Sequence, residues 1–234
     1  LLIVKIMKKI ALFITFFFYL TLVDAQQRNC GTMQHLEYLK SQDPQLEQRM
    51  MQNEITLQNW IQNQPESSSS SIITIPVVVH VVYSNSNENI STAQIQSQID
   101  VLNEDFRRLN VDAVNTPSVF QSVAADCEIE FCLATVDPNG NSTTGITRTQ
   151  TSQSSFSTND NVKFSSSGGI DAWNTSEYLN MWVCDISGGI LGYAQFPGGS
   201  ASTDGVVVDY AYFGNTGTAT YPFSQGRTAT HEVG

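Results

Sequence analysis

The last four residues, His231-Glu232-Val233-Gly234, open the pattern H-E-x-x-H. Histidines at i and i+4 lie one above the other on a helix, so both imidazoles can reach one zinc ion. A glutamate at i+1 then stands beside the metal, where it can take a proton from the attacking water. In this reading His231 is a metal ligand and Glu232 a general base, and the second histidine is expected directly after Gly234. Four residues also match by chance, because a His-Glu pair is commonly a solvated helix turn.

Elements that could position such a pair are legible upstream. Residues 72–83 (IITIPVVVHVVY) form a long β-branched, almost wholly apolar run, as in a strand buried on both faces. Ser91 or Thr92 caps a helix whose apolar face is Ile95, Ile99, Leu102, Phe106 and Leu109. Residues 128–136, 178–186 and 205–213 read as further strands, and residues 191–196 as a short one bracketed by glycines. This order predicts an α/β fold: a mixed, mostly parallel twisted sheet with helices packed against one face. The short strand is expected at the sheet edge, where Leu191, Gly192, Tyr193 and Ala194 could pair with an extended peptide.

In front of this region the texture differs. Lys5, Lys8 and Lys9 precede an apolar run at residues 10–22, and Val23-Asp24-Ala25 offers a cleavage site, so residues 1–25 read as a signal peptide. Met7 is the expected start, with residues 1–6 upstream of it. A retained anchor is the alternative, but the run is short beside the ~20 apolar residues of a membrane span. Residues 26–71 form a polar, helix-prone pro-segment. Its helix starts at Asp43-Pro44, carries Leu46, Met50, Leu57 and Ile61 at helical spacing, and ends in a Ser-rich linker at residues 65–71. Residues 72–234 are then the first part of a catalytic domain.

Composition narrows the classes. The chain has 234 residues, 41% apolar and only 14% charged, with a net charge of −11. Nucleic acid is excluded as a partner because phosphate binding needs clustered Lys and Arg. Low charge with polar loops suits an exported protein without a stable membrane anchor once the signal is removed.

Eight stretches together resemble the pappalysin (M43) family of metzincin metalloproteases. They are residues 28–32 (RNCGT), 75–83 (IPVVVHVVY), 98–107 (QIDVLNEDFR), 129–134 (IEFCLA), 145–148 (GITR), 179–183 (LNMWV), 191–197 (LGYAQFP) and 228–234 (TATHEVG). The resemblance implies a secreted zinc endopeptidase acting on polypeptides, with His231 as first ligand and Glu232 as general base. Two further histidines and most of a second subdomain are expected after Gly234. Calcium, carried by some relatives, could involve Asp204 or Asp209, although no loop has an EF-hand pattern.

Cys30-Gly31 in the pro-segment could place a thiolate on the zinc, displacing the water that hydrolysis needs, and similar pro-segments in the family do resemble it. Arg28 would favour the charged form, and Gly31 would let the backbone come close. The alternative is a disulfide to Cys127, Cys132 or Cys184. His80 reads as a hydrogen-bonded core histidine and His35 as a solvated one. The rival function is a secreted binding or adhesion module whose HEVG is accidental.

Overall fold

The computed structural model describes residues 29–63 and 71–234. The expected signal peptide, Arg28 and most of the Ser-rich linker lie outside the described residues. Two helices come first, α1 (Thr32–Gln42) and α2 (Leu46–Asn63). Strand β1 (Ile73–Tyr83), helix α3 (Thr92–Phe106), and strands β2 (Ile129–Leu133) and β3 (Ile146–Gln150) follow. Strands β4 (Leu179–Cys184), β5 (Gly192–Ala194) and β6 (Val206–Asp209) and helix α4 (Arg227–Val233) complete the order.

The sheet runs β2-β1-β4-β6-β5, with β3 beside the second half of β1. Every pairing is parallel except β5 with β6, which is antiparallel with Tyr193 opposite Val207. This is the mixed, mostly parallel sheet expected from the sequence. β1 sits in its middle, so its apolar residues have no polar face to alternate with. Val77, Val79 and Val81 join Met181, Val183, Val206 and Val208 under α3 and α4, while Val82, Trp182, Cys184, Val207 and Tyr193 face the other way. Helices α3 and α4 therefore share one face, and the long connection between β3 and β4 covers the other.

The local reading fails in a few places for physical reasons. Ser91 caps α3 by accepting from the Gln94 amide at 3.1 Å, as expected. The helix stops at Phe106, because Arg108 takes a left-handed conformation (φ 51°), and Leu109 is left 71% exposed. β3 went unread because its polar residues alternate on an edge. In α2, Leu46 is buried but Leu57 and Ile61 are exposed, so the apolar spacing there does not mark a core face.

Candidate metal and catalytic site

Helix α4 carries His231 and Glu232, and α3 holds it in place through polar side chains. Gly226, the residue before α4, is left-handed (φ 70°), and a Cβ there would stand 3.0 Å from Val101. Its carbonyl accepts from Gln98 Nε2 at 2.9 Å, while Gln98 Oε1 accepts the Gly214 amide at 2.6 Å. Asp105 accepts the Thr230 hydroxyl at 2.7 Å and pairs with the Arg227 guanidinium at 2.9 Å. Gln98 is fully buried, so its two bonds are made away from water, where a missing partner costs most.

With α4 so fixed, Glu232 is buried against β5 and His231 is exposed. A Cβ on Gly192 would meet the Val207 carbonyl at 2.9 Å and Glu232 Cγ at 3.1 Å. Glycine at this position lets the helix and the edge strand come together. Of the four residues expected on that edge strand, Gly192, Tyr193 and Ala194 form β5 and Leu191 precedes it. The Tyr193 side chain is fully buried on the far side of the sheet, so that residue offers the cleft only its backbone.

The N-terminal segment lies along β5 in parallel. Leu191 N–H donates to Asn29 O at 2.9 Å, Gly31 N–H to Gly192 O at 2.8 Å, and Ala194 N–H to Thr32 Oγ1 at 3.0 Å. Thr32 Oγ1 in turn donates to Glu232 Oε2 at 2.8 Å, and Cys30 Sγ lies 3.7 Å from the same oxygen. Cys30, His231 and Glu232 offer ligand atoms all within 4.8 Å of one another. A thiolate sulfur and an imidazole nitrogen are donors that zinc takes readily, so this group fits that ion. Among the described residues no other group of three such side chains gathers, Asp204 and Asp209 included. The Asp209 carboxylate instead accepts the Ile186 and Ala211 amides at 2.8 and 2.9 Å.

Two expectations need correction. All four cysteines are free thiols, so the disulfide alternative for Cys30 is not the arrangement seen. Gly31 also serves packing, since a Cβ there would stand 2.9 Å from both Ile190 and Thr158. His35 is not solvated but fully buried under α1. Its Nδ1 is 2.8 Å from Thr158 O, its Nε2 is 3.4 Å from Asp160 Oδ2, and its ring lies 4.8 Å from that of Tyr193. His80 does sit in the core, between Thr147 Oγ1 (2.7 Å) and Asn180 Oδ1 (3.0 Å), and burial pulls its pKa down to about 4.

Helix α4 thus carries a His-Glu pair against β5, which is the antiparallel strand of the sheet among the described residues. Known metalloproteases share this sequence and fold. A promirolysin mutant from Tannerella forsythia is 53% identical, with 88% of this chain and 67% of that one covered at a TM-score of 0.77. Mature mirolysin from the same organism, in complex with a cleaved peptide, is 61% identical over 70% of this chain and 63% of that one, with a TM-score of 0.69. A curated "Extracellular metalloprotease" from Pyricularia oryzae is 31% identical over 175 residues, covering 72% of this chain and 50% of the relative. Another of that name, from Arthroderma benhamiae, is 26% identical over 179 residues, with 73% and 54% covered. The chain thus spans about half the length of the curated relatives it matches. No family model matches it. The chain belongs to the metalloprotease family that includes mirolysin.

Proposed function

We propose that the chain is the latent N-terminal part of a secreted zinc endopeptidase of the pappalysin kind. The cluster of Cys30, His231 and Glu232 carries this reading, because residues 201 and 202 positions apart meet where a metal would be held. Residues 26–71 act as pro-segment and linker, and residues 72–234 begin the catalytic domain. The share of this chain matched rises from 70% against mature mirolysin to 88% against the precursor, which supports that division. Export is supported by relatives named extracellular, and no helix among the described residues is long and apolar enough to cross a membrane.

His231 and two later histidines of the whole protein would hold the zinc. When bound, the ion would polarise the scissile carbonyl and acidify a water. Glu232 takes the water's proton and passes it to the leaving amine. The backbone of residues 191–194 pairs with the extended polypeptide substrate. In the latent state residues 29–32 occupy that edge, Cys30 would be a further ligand to the zinc, and the Thr32 hydroxyl donates to Glu232.

The test is Glu232→Gln in the full-length protein after removal of the pro-segment. The amide keeps the size but cannot accept the proton, so hydrolysis should fall on the order of 10²–10⁴-fold with zinc retained. Near-normal hydrolysis of a peptide by this variant removes Glu232 from the mechanism. The absence of both zinc and hydrolysis in the unmutated protein would revive the binding-module alternative.

A further inference from the structure

His35 plugs α1 into the connection between β3 and β4, with its ring also against Tyr193 of β5. Nδ1 lies 2.8 Å from the Thr158 carbonyl, which can only accept, so Nδ1 carries the proton of the neutral imidazole. Nε2 then holds the lone pair, 3.4 Å from Asp160 Oδ2. That carboxylate already has a counter-charge. Its other oxygen is 2.8 Å from Nζ of Lys163, which is itself fully buried and donates to Thr203 O at 2.6 Å. The other ionisable groups nearby are Tyr38 of α1, whose ring centre is 6.4 Å away, and Tyr193 at 4.8 Å, whose phenol burial keeps protonated. Asp204 acts on Lys163 from farther off.

With the ring neutral, Lys163 and Asp160 balance, and the site carries no net charge. A proton on Nε2 would set two cations around one carboxylate in a fully buried place, where an uncompensated charge is costly. Burial is the larger influence and holds the His35 pKa below its ordinary 6.5; Asp160 pulls the other way, and Lys163 adds to the burial. The pull of Asp160 is limited, since 3.4 Å exceeds the ~2.7–2.9 Å of a charge-assisted hydrogen bond. We infer that His35 is an acid-sensitive latch, which holds the pro-segment along β5 at neutral pH and loosens it as the solution acidifies. The latch presupposes that residues 26–71 are a pro-segment, and adds to that reading what releases it. A released His35 takes up a proton below about pH 6.5 while the held one resists it, so each pH unit below that value weakens the hold by up to about tenfold.

The test uses the full-length zinc enzyme with its pro-segment removed, inhibited by a synthetic peptide of residues 29–63. Three versions are compared at about pH 7.5 and about pH 5.5: wild type, His35→Gln, which keeps a donor for Thr158, and His35→Phe, which keeps a ring against Tyr193. The enzyme and Cys30 are the same throughout, so whatever pH does to the zinc site cancels in the comparison. On acidification the histidine peptide should lose at least about threefold more affinity than either variant peptide. In the uncleaved precursor, the ratio of acid to neutral peptidase activity, divided by that of the mature enzyme, should likewise be higher for wild type than for His35→Gln. Equal losses and equal ratios, or a smaller loss for the histidine peptide, overturn the latch, while inhibition at neutral pH leaves the pro-segment reading standing. A wild-type peptide that inhibits at neither pH overturns the pro-segment reading and the latch with it.

Discussion

Thr32 is a small side chain with two partners, its hydroxyl accepting a hydrogen bond from the Ala194 amide and donating one to Glu232. A hydrogen bond to a charged group is worth about 1.5–3 kcal/mol. Thr32→Val, which keeps the shape and removes the hydroxyl, should therefore loosen the segment's hold by roughly 10–100-fold. In the uncleaved full-length precursor that variant should hydrolyse peptide detectably, and Cys30→Ala should do so more strongly, with Glu232→Gln as the blank. If Thr32→Val and Cys30→Ala precursors are both as silent as wild type, neither contact maintains latency. Mass spectrometry of the same material should find Cys30 unbonded to Cys127, Cys132 or Cys184. The grouping of Cys30 with His231 and Glu232 is the one expected from residue type and motif. The place of Thr32 is not, because a threonine beside a Cys-Gly pair carries no signal until the chain folds back onto β5.

Helix α4 is only seven residues long and has no side-chain cap, so its placement depends on neighbours. Gln98→Leu would strip a partner from two buried backbone groups, the Gly226 carbonyl and the Gly214 amide, at a cost of about 2–4 kcal/mol. Gly192→Ala would push β5 and α4 apart and cost about 1–3 kcal/mol, as overpacking does. Thermal melts of both variants should fall below wild type, by about 2–4 °C for each kcal/mol lost. A Gln98→Leu protein as stable as wild type would show that the loop before α4 finds other partners. Strand β1, helix α3 and edge strand β5 were legible because apolar runs and glycine brackets are local signals. Gln94, Gln98 and Asp105 carry no such local signal, since polar residues between apolar ones on a helix normally face water. They face the loop and helix that follow β6 instead, a long-range contact that no spacing within α3 could reveal. His35 escaped for the same reason, because its acceptors lie more than a hundred residues away.

Across the whole molecule, two buried groups titrate against each other. His80 is held neutral down to about pH 4 instead of 6.5, so the unfolded chain binds the extra proton between those values and stability falls as pH drops. Asp209, pushed up to about 6 from 3.8 chiefly by burial, holds its proton longer when folded, so over that range its contribution falls as pH rises. Each is about 3 kcal/mol at ~1.4 kcal/mol per pH unit, with opposite signs over nearly the same window. From these two groups, stability between pH 4 and 6 should be nearly flat. Asp209→Asn should remove one slope and leave a protein that gains up to about 3 kcal/mol between pH 4 and 6.5. Denaturant melts at several pH values test this, and a flat profile in the variant would mean that His80 does not titrate as its burial demands.

The pairing of residues 29–32 with β5 also bears on colloidal behaviour. Leu191 N–H, Gly192 O and Ala194 N–H are all satisfied by Asn29, Gly31 and Thr32 of the same chain. A sheet edge with such groups bare is a template for strands of other molecules, including further copies of the same protein. The segment therefore also shields that edge from self-association when the protein is concentrated, a protection given up when the cleft opens.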